Sequence, residues 1–261
     1  MDLELRGKTA LVCGASKGLG YAIAECLAEE GVFVGLLARN SATLASAAEK
    51  IVAKGGKSMS LQGDIGDWVR TEAALKDWRN TVGDTDILVI NSGGPPAADV
   101  TKIDPDLWRA QFEAMVLNQM RLVEALLPGM RAKRFGRILS VSSTSIIEPF
   151  ATLAISNSLR AALAGWLKTL AGRVAAEGIT VNLLLPGSFA TERIDHLDRE
   201  SAQREGVSIA QVQAANIQDI PAKRYGEPKE FGTLAAFLAS PKAAYITGTA
   251  LRIDGGATRS L

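Results

Sequence analysis

Short apolar runs rich in Val, Ile and Leu alternate along the chain with longer segments of helical period. Most runs are apolar at successive positions, which is typical of strands buried on both faces of a sheet. The runs that predict strands are TALVCG (9–14), VFVGLLAR (32–39), SMSLQGD (58–64), DILVINS (86–92), GRILSVSS (136–143), ITVNLLLPG (179–187) and ALRIDGG (250–256). The segments that predict helices are 18–30, 41–54, 67–82, 106–134, 153–177 and 228–239.

A strand, helix, strand order repeated in this way predicts an α/β fold. We expect a Rossmann-like, doubly wound parallel sheet of about seven strands with helices on both faces. No shift in composition and no Pro/Gly/Ser linker divides residues 1–261, so we expect a single domain. One long polar connection, at about 188–226, interrupts the alternation. A connection of that length predicts a lid over a substrate site.

Composition and charge narrow the class of protein. The chain has 261 residues, of which 47% are hydrophobic and 22% charged, and its net charge is +1. We therefore expect one sizeable core and neither a nucleic-acid partner nor a membrane span. The start, MDLELRGKTALV, does not resemble a secretory signal. With only His196 and two cysteines, Cys13 and Cys26, we expect no metal site and a reduced, cytoplasmic compartment.

A glycine-rich loop, GASKGLG, follows the first strand and opens a helix. Glycines at 14, 18 and 20 let the backbone turn sharply and approach a pyrophosphate, which the helix N-terminus favours. The spacing is G-x-x-x-G-x-G, and the alternative is simply a tight turn. Its position at the first strand–helix junction favours nucleotide binding. The predicted contacts of this loop are Gly14, Ser16, Lys17, Gly18, Leu19 and Gly20.

The end of the second strand, LLARN, indicates which dinucleotide is bound. An acidic residue here would bond the adenosine ribose hydroxyl, whereas an arginine suits a 2′-phosphate. Arg39 therefore favours NADP(H), and Lys17 adds a second positive charge. The alternative is that Arg39 is a solvated charge at a strand end. Asp64 and Ile65, after the third strand, are placed to flank the adenine.

Further motifs follow in order: NSGG (91–94), VLNQM (116–120), SVSS (140–143), PGSFAT (186–191) and a C-terminal segment ending in RIDGG. With the glycine loop, in which Cys13 stands where threonine is usual, they resemble the short-chain dehydrogenase/reductase family from end to end. The resemblance implies that Ser143 and Asn118 are catalytic. It also implies a small-molecule substrate and a homo-oligomer, a tetramer or a dimer. The further cofactor contacts that it implies are Asn91, Gly93, Pro186, Gly187 and Thr191.

The resemblance fails at the family's Tyr-x-x-x-Lys motif. About thirteen residues after Ser143, the two positions hold Ser156 and Arg160, which share one helix face. A serine alone is a weak acid, and arginine stays protonated. Arg160 could still bind the nicotinamide ribose or offset negative charge on a substrate oxygen. The alternative is a helix-surface charge at a subunit seam.

Two functions stay open. The first is an NADP(H)-dependent oxidoreductase of carbonyl or alcohol substrates, of which 3-oxoacyl compounds are one class, with a modified proton relay through Ser143, Asn118, Ser156 and Arg160. His196, Glu148 or a water could replace the missing acid; the alternative for both side chains is that they simply face solvent. Losing a general acid removes about two to four orders of magnitude in rate, which impairs catalysis without excluding it. The second function is a catalytically silent NADP(H)-binding subunit or sensor.

Overall fold

The computed structural model describes residues 1–96 and 98–260. Seven strands form one sheet in the order β3-β2-β1-β4-β5-β6-β7, and every neighbouring pair is parallel. The strands are β1 (Thr9–Cys13), β2 (Phe33–Ala38), β3 (Lys57–Gln62), β4 (Ile87–Ile90), β5 (Gly136–Val141), β6 (Ile179–Pro186) and β7 (Ala250–Ile253). All seven predicted strands are confirmed.

The strand order reverses between β1 and β4. In β1, Val12 is paired with Leu36 of β2 on one side and with Val89 of β4 on the other. Connections leave β1 and β4 toward opposite sides, which opens a crevice at the carboxyl ends of these strands. The phosphate loop predicted from the sequence follows β1 directly, so it lies at this crevice.

Helices cover both faces of the sheet, as the apolar runs predict. The α-helices of the described residues are α1 (Gly18–Glu29), α2 (Ser41–Ala53), α3 (Trp68–Thr81), α4 (Pro105–Phe112), α5 (Asn118–Lys133), α6 (Ala154–Val174), α7 (Glu192–Glu205), α8 (Ile209–Asp219) and α9 (Pro228–Ala239). Buried side chains of α1, α2 and α9 form one core, and those of α3, α5 and α6 form the other. The expected doubly wound α/β architecture is confirmed.

The predicted helix at 106–134 is divided into three parts. Asp104 caps α4 by accepting hydrogen bonds from two backbone N–H groups, and Pro105 occupies the first turn. A π-helical turn, Glu113–Leu117, then joins α4 to α5. Such a widened turn is frequent at functional sites. Here it places Asn118, a predicted catalytic residue, at the start of α5.

The long polar connection at 188–226 is mostly helical. It contains α7 and α8, and α8 begins with a capping box in which Ser208 and Gln211 exchange hydrogen bonds. The apolar pattern does not predict these two helices because few of their residues are buried. In α7 only Asp198 and Ala202 are buried, and in α8 only Val212. Within the described residues, no helix combines the length and apolarity that crossing a bilayer requires.

Candidate active site

The loop after β1 is a tight turn that requires glycine at two positions. A methyl group on Gly20 would lie 2.3 Å from the Gly14 carbonyl oxygen, and one on Gly14 would lie 2.8 Å from Asn91 Nδ2. Gly14 and Gly18 also have positive φ angles of 60° and 59°, which favour glycine. Asn91 Nδ2 donates to the Gly14 carbonyl at 3.4 Å, so the turn after β4 supports this loop.

The start of α1 offers backbone donors to an anion. Lys17 precedes the helix in an extended conformation, and no side chain caps the first turn. The first N–H groups of an α-helix have no partner within the helix, and the helix dipole favours negative charge at this end. Ser16, Gly18 and Leu19 are half-buried around this turn. The tight glycine turn and uncapped helix start fit a pyrophosphate.

The end of β2 carries an unneutralised positive charge. Arg39 is exposed, and it takes part in none of the ion pairs within residues 1–96 and 98–260. Its carbonyl oxygen accepts a hydrogen bond from Gln62 Nε2 at 3.2 Å, which fixes the strand end. A free guanidinium beside the crevice fits the 2′-phosphate of NADP(H). The N–H groups at the start of α1 and the Arg39 guanidinium therefore suit a dinucleotide that carries a 2′-phosphate.

The turn after β3 is tied to α5. Asp64 Oδ1 accepts the Gly66 N–H at 2.9 Å, and the Ile65 carbonyl accepts from Asn118 Nδ2 at 3.0 Å. Asn118 is 1% exposed, and its Oδ1 accepts from Arg121 Nη1 at 3.2 Å. Because both ends of this amide bind protein groups, Asn118 holds the Asp64–Ile65 turn against α5.

Two predicted catalytic side chains, Ser143 and Ser156, retain a proton to donate. Ser143 Oγ accepts the Ser145 N–H at 3.1 Å, where it caps a short 3-10 turn after β5. Ser156, buried in the first turns of α6, accepts from Arg160 Nε at 3.1 Å. A hydroxyl has one donor proton and two acceptor sites, so each O–H is free to donate elsewhere.

Arg160 points into the protein, which favours a role in the site over the alternative of a surface charge at a subunit seam. It donates from Nη1 to the Val141 carbonyl at 3.1 Å and from Nε to Ser156, which joins α6 to the end of β5. Burial, with a smaller contribution from the positive charge of Arg193, lowers the pKa of Arg160 to about 10. Arg160 therefore stays a cation at neutral pH.

A small cavity of about 10 Å³ lies beside Arg160. It is lined both by polar side chains, among them Ser140 and Ser142, and by apolar ones, among them Met115 and Leu163. The Ser142 hydroxyl is buried and has no hydrogen-bond partner among the described residues. The volume corresponds to roughly one water molecule. The inner side of Arg160 thus faces a space of mixed polar and apolar lining that includes one unpartnered hydroxyl.

The other candidate acids have different partners. His196 Nε2 lies 3.2 Å from Glu200 Oε1 on the exposed side of α7, which favours the solvent-facing alternative. Glu148 Oε1 accepts the N–H groups of Arg259 and Ser260 and so holds the C-terminal segment.

The tyrosines also have other partners. The hydroxyl of Tyr21 donates to Glu25 and that of Tyr225 to Asp198, while Tyr245 is fully exposed. None replaces the family tyrosine in these contacts. Cys13 is fully buried, and burial raises the pKa of its thiol to about 12, so it remains protonated.

The residues after β4 and β6 complete the crevice. Pro186 ends β6, and the Gly187 N–H donates to the Ile253 carbonyl of β7 at 2.9 Å. A methyl group on Gly187 would lie 2.7 Å from Asp254 Cα, so this turn also needs glycine. Gly93 has open space around it, and the fold itself places no demand on that position.

The start of α7 contacts the glycine loop, and the sequence does not predict this contact. Lys17 Nζ lies 2.5 Å from Glu192 Oε2, and Thr191 precedes α7 next to Gly18. Glu192 and Arg193 escape sequence reasoning, since they lie in a polar helix with no motif of their own. Their position directly after Thr191 is the one signal that could have identified them. Among the described residues, no cluster of His, Cys, Asp and Glu could hold a metal ion.

A family model and a curated relative each match almost the whole of this chain. A family model described as enoyl-(acyl carrier protein) reductase, of the short-chain alcohol dehydrogenase type, matches residues 14–258. The 3-oxoacyl-(acyl-carrier-protein) reductase FabG of Vibrio cholerae is 36% identical over 257 residues, which cover 97% of this chain and 98% of that protein.

Two solved structures superimpose closely on almost the whole of this chain. L-sorbose reductase from Gluconobacter frateurii, complexed with NADPH and L-sorbose, superimposes with a TM-score of 0.95 and 32% identity, and the match covers all of both chains. YwfH, an NADPH-dependent reductase involved in bacilysin biosynthesis, has a TM-score of 0.93 and 30% identity, with 97% of this chain and 99% of that one covered.

Proposed function

Since the chain belongs to the short-chain dehydrogenase/reductase family, we propose that it is an NADP(H)-dependent oxidoreductase acting on a carbonyl or alcohol substrate. 3-Oxoacyl compounds are one candidate class, because FabG carries that activity in its name. We further propose a cytoplasmic homo-oligomer, either a tetramer or a dimer. The observation that carries the proposal is the part-buried hydrogen bond from Arg160 to Ser156, at the two positions where the family has lysine and tyrosine.

The cofactor is NADP(H), which supplies or accepts the hydride when bound. Gly14, Gly18 and Gly20 would hold its pyrophosphate, and Arg39 would pair with the 2′-phosphate. Further contacts would come from Asp64 and Ile65 at the adenine and from Asn91, Gly93, Pro186, Gly187 and Thr191 toward the nicotinamide. Lys17 would exchange its exposed partner, Glu192, for a phosphate.

Ser156 and Ser143 would orient the substrate carbonyl. Each hydroxyl accepts a hydrogen bond from the protein, so each O–H is directed by that contact and free to donate to the carbonyl oxygen. As negative charge develops on this oxygen, the Arg160 guanidinium stabilises it through Ser156. The oxygen is then protonated by Ser156, and solvent returns a proton to the serine. Arg160 keeps its own proton throughout.

The cost of this relay is a lower rate. A serine is a weaker acid than a tyrosine, so the proton moves only after most of the charge has developed. A well-placed general acid contributes about 10²–10⁴ in rate, and positioning of the substrate contributes more than that. We therefore expect slow but real turnover compared with relatives that have the tyrosine.

The experiment is to follow NADPH consumption with ketones, aldehydes and 3-oxoacyl thioesters. The proposal predicts saturable turnover with at least one class. Tight NADPH binding without turnover of any of these classes would contradict it and favour the silent binding subunit.

A double variant, Ser156→Tyr with Arg160→Lys, provides the matched comparison. If the native pair is a working relay, the native chain already turns over its substrate. The double variant then has a different rate for a reaction that the native chain also catalyses. If the native chain is silent, activity arises only in the double variant.

A further inference from the structure

Arg193 extends from the first turn of α7 to the loop that follows β4. Its Nη2 would lie 3.4 Å from a methyl group placed on Gly94. The side chain is exposed, and it forms no ion pair within the described part of the chain. Arg193 therefore brings an uncompensated positive charge to the carboxyl end of β4.

Arg160 brings a second positive charge to the end of the neighbouring strand, β5. Its hydrogen-bond acceptors, the Val141 carbonyl and the Ser156 hydroxyl, are both uncharged. Its pKa is lowered by burial and then by the charge of Arg193, so the two guanidinium groups influence one another. Burial of a cation without an anion is costly, and a second cation nearby increases that cost.

Three carboxylates of the surrounding segments have other partners. Glu192 pairs with Lys17, and Asp198 accepts from Tyr225 and Asn216. Glu148 accepts the N–H groups of the C-terminal segment. Among the described residues, neither Arg193 nor Arg160 therefore has a carboxylate as an ion-pair partner.

We propose that Arg193, together with Arg160, selects a carbonyl substrate that carries a carboxylate group. This inference rests on the proposed function, since it assigns the substrate class of the same site. A guanidinium matches a carboxylate with two parallel hydrogen bonds, which gives orientation as well as affinity. The small Ser156 side chain occupies the position of the family tyrosine, next to Arg160.

The phosphates of the cofactor are the other anions that could neutralise this pair. Their predicted sites are the loop after β1 and Arg39 after β2, whereas Arg193 and Arg160 lie at the ends of β4 and β5. In the sheet order β2-β1-β4-β5, the arginines are on the far side of the crevice from Arg39. This separation favours the substrate as the source of the anion.

The test uses calorimetric titration of the protein loaded with NADP⁺, which cannot reduce a ketone. The probes are benzoylformate and its neutral methyl ester. The native protein is expected to bind the acid about ten- to a hundredfold more tightly than the ester, as for hydrogen bonds between charged groups. Arg193→Gln should abolish this preference. The matched control is Arg199→Gln, an exposed arginine of the same helix, which should preserve it.

Equal binding of acid and ester by the native protein would overturn the inference, as would an unchanged preference in Arg193→Gln. A loss of NADP⁺ affinity in Arg193→Gln would overturn it too, because the arginine would then serve the cofactor. NADPH consumption with neutral carbonyls tests the proposed function separately. Turnover of neutral compounds without a preference for the acid refutes only the inference. Arg193-dependent binding of the acid without any turnover refutes only the proposed function.

Discussion

Arg39 is exposed at the end of β2, and no carboxylate of the described residues neutralises its guanidinium. The sequence predicts the position, because the end of the second strand in this fold lies beside the adenosine ribose. Whether the arginine is free to bind a phosphate depends on its neighbours, and only the structure gives those.

The substitution Arg39→Ala should raise the Kd for NADPH about ten- to a hundredfold, since it removes a charged hydrogen bond to the 2′-phosphate. The Kd for NADH should hardly change, because NADH has no such phosphate. Titration calorimetry of both cofactors with both proteins measures this. An equal loss of affinity for the two cofactors would show that Arg39 does not read the 2′-phosphate.

Ser156 and Arg160 show which properties of single residues can be predicted from the sequence and which cannot. Their four-residue separation predicts a shared helix face, and the observed hydrogen bond confirms it. The spacing does not say whether that face points outward. Arg160 turns inward because the carbonyl of Val141, at the end of β5, is within its reach.

At the scale of elements, the glycine loop and α1 form one unit that depends on close backbone contact. Gly20→Ala should raise the Kd for NADPH at least about a hundredfold, because the new methyl group would displace the Gly14 carbonyl and distort the turn. The control is Gly172→Ala in α6, where a methyl group meets open space. It should leave NADPH binding unchanged and stabilise the fold by about 0.5–1 kcal/mol.

Calorimetry with NADPH and thermal unfolding measure these two effects. NADPH binding by Gly20→Ala at native strength would contradict the role of the loop.

Elements with strong apolar patterns are predicted well, and the others are not. Strands such as β5 and β6 consist of buried apolar runs, and their ends agree with the prediction within one to two residues. The helices α7 and α8 have too few buried residues to produce a pattern. The π-helical turn before Asn118 also has no sequence signature, because one extra residue in a helical turn barely alters the apolar period.

At the scale of the whole molecule, the sheet order brings distant parts of the sequence to one crevice. The alternation of strands and helices predicts a parallel sheet, and parallel strands place the turns after β1, β4, β5 and β6 at one edge. The predicted site residues follow these strands, so their general location follows from the fold. The contact of α7 with the glycine loop does not, since the Lys17–Glu192 pair joins residues far apart in the sequence.

The direct test of the central claim is the rate of NADPH consumption by Ser156→Ala at saturating substrate. The matched control is Ser158→Ala, an exposed serine on the same helix. Loss of a hydrogen-bond donor to the developing oxyanion should lower kcat about a hundredfold in Ser156→Ala, with an unchanged Kd for NADPH. Ser158→Ala should match the native protein. A native kcat in Ser156→Ala would show that the reaction does not pass through the Ser156–Arg160 pair.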